Sequence, residues 1–408
     1  MNKKLFIILV IILAFIGTGA FIVNKYGSGV KPVIIGVPDD IGKIIDEHNQ
    51  LPPGGSDINF PLTIPDEFSV DVLARVPNAR ALAVDQYGNI WVSRPKDNTI
   101  TRITVKDGKM ENTALNAFPH NEFNKPHGLA FDPKDPSILY IAEEDKIVRL
   151  GTYDKNIPLE KVVDLPKGGR HTTRSLAFGS DGVLYVSIGS TCDVCREEDD
   201  RHGTIMRVNL EKKTLEPYAK GLRNSVFMTV HPVNGTLWAT EMGRDLLGDT
   251  TPPDEINMIE EGKNYGWPIC YGKNIHDTAF DKNTYFRNPC MEPFETQSYI
   301  DLPAHVAPLG LTFIPGEGWP EEYQYNLVVA YHGSWNSTDP VGYKLVRWEL
   351  GGKGNVLGTK DFISGWLTED DRALGRPVDV LAVPGGIMYM TDDKAGLVYR
   401  IQYQKKEL

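Results

Sequence analysis

Residues 174–190 read RSLAFGSDGVLYVSIGS, and residues 202–210 read HGTIMRVNL. A short apolar strand runs into a Ser-Asp-Gly turn, and a second strand rich in β-branched and aromatic residues follows. After a loop, a third strand closes the unit. Alternating apolar positions and D-G turn chemistry mark antiparallel β-structure. The same grammar recurs on both sides. ARALAVDQYGNIWVSRPKDNTITRI spans 79–103 and PHGLAFDPKDPSILYIAEEDKIVRL spans 126–150. RNSVFMTVHPVNGTLWATEMG (223–243) is completed by DEINMI (254–259), and PLGLTFIP (308–315) by YNLVVAYHG (325–333) and YKLVRWEL (343–350). RPVDVLAVPGGIMYMTDDKAGLVYRI (376–401) is the sixth copy. Units of about 45 residues with three or four strands are the signature of a β-propeller. The expected fold is therefore all-β, a six-bladed β-propeller. The long gaps after Arg223 and Pro308 read as loops inserted between strands.

The flanks extend this reading. Phe68–Val76 is a strand that precedes the first unit, and it is expected to join the last blade beside Leu397–Tyr403, closing the ring and covering its edges. No helix of consequence is required after residue 66. Residues 27–66 contain GSG, LPPGG and PLTIP and read as an extended linker, with at most a short helix near Asp40–His48. Before them, Lys3 and Lys4 precede Leu5–Val23, an uncharged apolar run of 19 residues. It is just long enough to span a bilayer and lacks a following A-x-A site, so an N-terminal transmembrane signal anchor is favoured over a cleaved signal peptide. The expected organisation is 1–26 signal anchor or signal peptide, 27–66 linker and 67–408 propeller. Either form of leader puts the propeller outside the cytoplasm, anchored at the outer face of the cytoplasmic membrane or secreted. There, disulfides are the expected state of the four cysteines. Cys192–Cys195 with Cys270–Cys290 is the most local of three connectivities.

Charge narrows the partners. With 43 basic and 54 acidic residues the net charge is -11, which argues against a nucleic-acid surface. Yet the residues that enter the innermost strands are Arg80, His127, Arg174, Arg223, Pro308 and Arg376, with His171 and His305 three residues upstream of two of them. Innermost strands line the central channel, so this set converges on one mouth. Clustered cations need an answering charge, either structural carboxylates or an anionic ligand held by guanidinium forks. The stretch PDEINMIEEGKNYGWP, residues 253–268, brings Asp254 and Glu255 to the same blade. Adjacent acids on a strand point to opposite faces, so a shared role for both would require a bend. A hard cation is the usual reason to gather such oxygens.

Several ordered motifs within residues 67–403 make the chain resemble the glucose/sorbosone dehydrogenase family of soluble quinoproteins, and more closely its L-sorbosone dehydrogenase-like branch. They are HTTRSLAFGSDGVLYVSIGS (171–190), GLRN (221–224), DEINMIEEGKNYGWP (254–268), AYHGSWN (330–336) with GYK (342–344), and GRPVDV (375–380). The resemblance implies pyrroloquinoline quinone (PQQ) and calcium (Ca2+) at the channel mouth, a sugar or polyol substrate, and electron transfer to a separate acceptor, a cytochrome or quinone. It implies His171 as catalytic base and Arg223 as stabiliser of developing charge. Arg223, Asn224 and Arg376 match cofactor contacts. His127, His332, Trp335 and Lys344 are further cofactor-binding candidates. Asp249, Asp254, Glu255 and the carbonyl of Tyr265 match the calcium region. The chain departs from the family in having His332-Gly333 where a cofactor lysine stands and one arginine, not two, in the last blade. Two other readings fit a propeller with this mouth: a calcium-dependent lactonase or other hydrolase, in which His171 activates water, and a binding propeller without chemistry.

Overall fold

The computed structural model describes residues 60–404 apart from 107–108 and 155, together with 56–57. Six sheets stand around an axis. Their innermost strands are Leu82–Val84, Leu129–Phe131, Leu176–Phe178, Met228–Val230, Pro308–Phe313 and Pro377–Val383. Each sheet is antiparallel, and the inner strands touch one another in ring order, the sixth against the first. The expected six-bladed propeller is what the chain forms.

Local chemistry explains the hairpins. The acceptor that opens each turn binds a backbone N–H two residues on: Asp85 to Tyr87 at 2.9 Å, Asp132 to Lys134 at 2.8 Å, Asp181 to Val183 at 3.0 Å and Asn234 to Thr236 at 3.0 Å. Such Asx turns set the first two strands of four blades antiparallel. Apolar burial then follows the ring. The core is six clusters, one between each consecutive pair of blades. Leu176, Val186 and Met206 pack with Tyr140 and Ile147 between blades two and three, and Leu82, Ile90 and Ile103 pack with Tyr389 and Val398 between blades one and six.

Closure occurs where the sequence placed it. Phe68–Arg75 pairs antiparallel with Leu397–Tyr403, from Phe68 opposite Tyr403 to Arg75 opposite Leu397. The linker is shorter than 27–66, because Phe60 is buried in the cluster around Trp366 and Thr63 pairs with Ser364. An apolar side chain at position 60 draws the chain onto the ring. The signal anchor expected over 1–26 and the linker residues up to 55, with 58 and 59, lie outside the described residues. Among the described residues the one helix is the 3-10 turn Pro95–Asp97, and no helix is long and apolar enough to cross a membrane.

Blade four carries the large insertion. Its third strand, Asp254–Ile259, pairs with a short outer strand, Ile300–Leu302. Between them, a small hairpin of Cys270–Tyr271 and Ile275–His276 is fastened by the Cys270–Cys290 disulfide. Cys192 and Cys195 form the second disulfide, as expected.

Candidate active site at the channel mouth

Loops from five blades enclose a cavity of about 450 Å³ over one end of the channel. Four guanidinium groups line it, from Arg80, Arg170, Arg223 and Arg376, against two carboxylates, Asp245 and Asp254. The convergence of cations expected from the repeats is therefore present, with one exchange. Arg174 is buried behind the wall, donating to the carbonyls of His171 (2.8 Å), Thr173 (3.0 Å) and Pro166 (3.1 Å). Arg170, directly before the histidine, takes its place. A second hollow of about 390 Å³ adjoins through Arg80, Thr172 and Thr173.

His171 lines the cavity with its polarity set from behind. Its Nδ1 lies 2.8 Å from Ser190 Oγ, and that hydroxyl donates to the Cys192 carbonyl at 2.7 Å. A hydroxyl has one proton to give, so Ser190 accepts from Nδ1–H. Nε2 is left as the bare nitrogen. Burial, and then Arg223 and Arg170, push the imidazole pKa down to about 3, so it is neutral at ordinary pH. The ring fits because residue 189 is glycine: a Cβ there would sit 2.6 Å from His171 Cβ.

Arg223 is held as a fan. Nε donates to the Asp193 carbonyl (2.9 Å) and Nη1 to the Met242 carbonyl (3.2 Å), while Nη2 reaches Asp193 Oδ1 (2.7 Å) and Asp245 Oδ2 (3.3 Å). Asp245 also takes Arg170 Nη2 at 2.8 Å and Asn336 Nδ2 at 2.9 Å. Asn224 lines the cavity beside Arg223, its backbone N–H bound to buried Glu241 at 2.7 Å.

Across the mouth, Arg376 donates from Nε to the His332 carbonyl at 3.1 Å and from Nη2 to the Gly333 carbonyl. Arg80 and His332 both bind Asp393, each at 3.0 Å. Burial pushes Asp393 up, but His332, Arg80 and Arg376 outweigh it and hold the carboxyl well below its usual range. Burial and then Arg376 push His332 down to about 4. A neutral His332 facing a carboxylate donates from Nε2, the opposite tautomer to His171. Arg80 Nη2 and Arg376 Nη1 donate no hydrogen bond among the described residues, and the Arg376 guanidinium lies 5.5 Å from the Tyr343 ring centroid. Gly333, at φ 105°, lets Tyr343 pack beneath this wall, and Trp335, 48% exposed, forms its rim.

The acidic lip is half of what the sequence implied. Asp254 lines the cavity, with Oδ1 accepting from Gly243 N–H (2.8 Å) and Oδ2 from Ala307 N–H (2.9 Å). Burial raises its pKa to about 7. Glu255 faces the other way, to Gly272 N–H at 2.7 Å and Asn257 Nδ2 at 2.9 Å, because the strand does not bend between them. Tyr265, whose carbonyl was the expected ligand, is not among the residues lining the cavity; its hydroxyl donates to the Met258 carbonyl and its ring packs between blades three and four. Asp249 accepts from Thr338 N–H at 3.0 Å outside the cavity. Lys344 pairs with Asp361 at 2.7 Å on the outermost strand of blade five, away from the cavity. His127 lies below the mouth, its Nδ1 3.3 Å from both the Arg174 carbonyl and Ser175 Oγ. Among the described residues the one grouping of three metal-type side chains is Cys192, Cys195 and Glu197, and its two sulfurs are joined in the disulfide.

Sequence reasoning missed Arg170, Asp193, Asn336 and Asp393. Asp393 sat in a quoted repeat, and its place after the second strand of blade six was the available signal. Asn336 closed the quoted motif AYHGSWN, while nothing local marks Arg170 or Asp193, whose partners Asp245 and Arg223 come from blade four.

The chain is an all-β six-bladed propeller with an arginine-lined cavity at one mouth of its channel. The profile of the TrAA12-like family matches residues 62–404, and the chain belongs to that family. An uncharacterized protein of Borreliella burgdorferi is 33% identical over 373 residues, covering 86% of this chain and 93% of that protein. Quinoprotein glucose dehydrogenase B of Acinetobacter calcoaceticus is 26% identical over 252 residues, 49% of this chain and 52% of its own. Among solved structures, the holo form of the pyranose dehydrogenase PQQ domain from Coprinopsis cinerea superposes with a TM-score of 0.72 at 18% identity, covering 86% of this chain and 99% of that one.

Proposed function

We propose that this protein is a quinone-dependent dehydrogenase of sugars or polyols, of the L-sorbosone dehydrogenase-like branch, working outside the cytoplasm and handing electrons to a separate acceptor. One observation carries the reading: a neutral imidazole with a bare Nε2 shares a cavity with four guanidinium groups. The donor set fits PQQ, a planar tricarboxylate. Arg80 and Arg376 on one side have N–H groups that donate no hydrogen bond among the described residues, and Arg170 and Arg223 face them from the other. His332 stands where the family lysine would, beside Arg376.

When bound, the quinone supplies the electrophilic centre that accepts hydride. The protein's part is orientation and proton handling. His171 Nε2 takes the proton of the hydroxyl whose carbon is oxidised, and the Ser190 hydroxyl steadies the ring as it gains charge. Arg223, already fixed by four acceptors, needs no reorganisation to face a developing negative oxygen. The hollow at Thr172 and Thr173 gives the substrate room beside His171. Of the four expected calcium ligands Asp254 alone lines the cavity, so it would be the protein's charged ligand to a calcium ion there. This arrangement weakens the lactonase reading, which needs a cation cage built by the protein itself. The apolar run Leu5–Val23 supports an extracytoplasmic location, anchored in the membrane or secreted.

The test is reconstitution with PQQ and calcium, followed by dye reduction over a panel of aldoses and polyols. Activity is expected with at least one sugar, and His171→Ala is expected to lower kcat by about 100-fold or more. Lactone hydrolysis without quinone would replace this reading.

A further inference from the structure

The Cys192–Cys195 disulfide has no part in the chemistry above, and its loop touches both proposed catalytic groups. Cys192 supplies the carbonyl that takes the Ser190 proton, 2.7 Å away. Asp193, the next residue, is a hub. Its carbonyl accepts from Arg223 Nε at 2.9 Å and Trp267 Nε1 at 3.3 Å, and its Oδ1 accepts from Arg223 Nη2 at 2.7 Å and Asp245 N–H at 2.9 Å. The base of the loop is pinned as well. Thr191 donates from N–H to Glu197 Oε1 at 2.7 Å and from Oγ1 to Glu197 Oε2 at 2.6 Å, while its own carbonyl accepts from Arg170 N–H at 2.8 Å. The segment has no regular secondary structure. Backbone torsions alone would not hold two carbonyls and a carboxylate at fixed angles on two different partners. A covalent bond across residues 192–195 removes that freedom.

We propose that this disulfide is a positioning clasp: by closing the loop it holds the Cys192 carbonyl under Ser190 and Asp193 against Arg223, fixing the tautomer of His171 and the aim of Arg223 together. Ser190 and Asp193 are its positioning residues. The inference rests on the roles proposed above for His171 and Arg223.

The test uses the full chain and reads imidazole ¹⁵N shifts of His171 without cofactor, then kcat against pH after reconstitution. Wild type should show a single Nδ1–H tautomer. The double variant C192S/C195S and the milder S190A should each show mixed tautomers and a kcat at least about tenfold lower, with a displaced pH profile. The control C270S/C290S, which removes the other disulfide, should keep the wild-type tautomer and profile. A single unchanged tautomer with an unchanged kcat in C192S/C195S would overturn the clasp, whatever S190A shows. If C192S/C195S does not fold, reduction of folded C270S/C290S, whose one remaining disulfide is Cys192–Cys195, takes its place: the clasp requires reduction to mix the tautomers, and an unchanged tautomer after reduction would overturn it. If no sugar is oxidised by wild type, the dehydrogenase reading fails, and the tautomer measurement still decides the Ser190 half of the clasp.

Discussion

His127 and His171 are pushed down to about 3 and His332 to about 4, chiefly by burial and next by the arginines around the mouth. Each is neutral in the folded protein over a range where an unfolded histidine is charged. The unfolded chain therefore binds more protons between about pH 6.5 and those lowered values, and stability must fall as pH falls through that window. His127 is the clean probe, because it is outside the cavity. His127→Gln removes one such proton site, so its unfolding free energy should drop less than wild type between pH 7 and pH 5, by roughly 2 kcal/mol. Urea denaturation at the two pH values measures this; parallel losses in both proteins would contradict it. At this scale the sequence was partly readable. His171, Arg223, Asn224, Arg376 and Asp254 sat at repeat-defined positions and reached the cavity. His127 held an equivalent position but is buried against Phe227 and Ser175, and Arg174 turned behind the wall. The backbone position just before an inner strand can be counted, whereas the rotamer that follows depends on neighbours from the next blade.

Strand alternation governs the acidic lip. Asp254 and Glu255 are neighbours on one straight strand, so one meets the cavity and the other the insertion. Their substitutions should separate. If Asp254 is the proposed calcium ligand, Asp254→Asn should weaken calcium affinity by at least about tenfold, about 1.4 kcal/mol. Glu255→Ala should leave calcium affinity within error, but should speed proteolysis within residues 260–299 by freeing Gly272. Calcium titration and limited proteolysis of the two variants measure this. Equal losses of calcium affinity would contradict the geometry. The strand itself was legible from its apolar period. The absence of a bend was not, because a bend is set by the pairing partners Leu237–Glu241 and Ile300–Leu302. The 192–195 loop was readable as a disulfide and unreadable as a scaffold, since Arg223 and Asp245 reach it from blade four.

The whole ring was the most legible level. Six copies of one hairpin grammar specify six blades, and the strand left over at Phe68 specifies the closure, because each blade buries its apolar faces only against the next. What the ring achieves is a cationic mouth on an acidic protein, assembled from residues as far apart in sequence as Arg80 and Asp393. That mouth is the centre of the account, and titration of the unmodified chain with PQQ at fixed calcium, followed by absorbance, tests it most directly. Saturable binding at one site is expected, weakened by added salt and lowered at least about tenfold by Arg376→Ala, since charge-assisted forks to carboxylates carry the contact. No saturable binding, or binding indifferent to both Arg376 and salt, would contradict it.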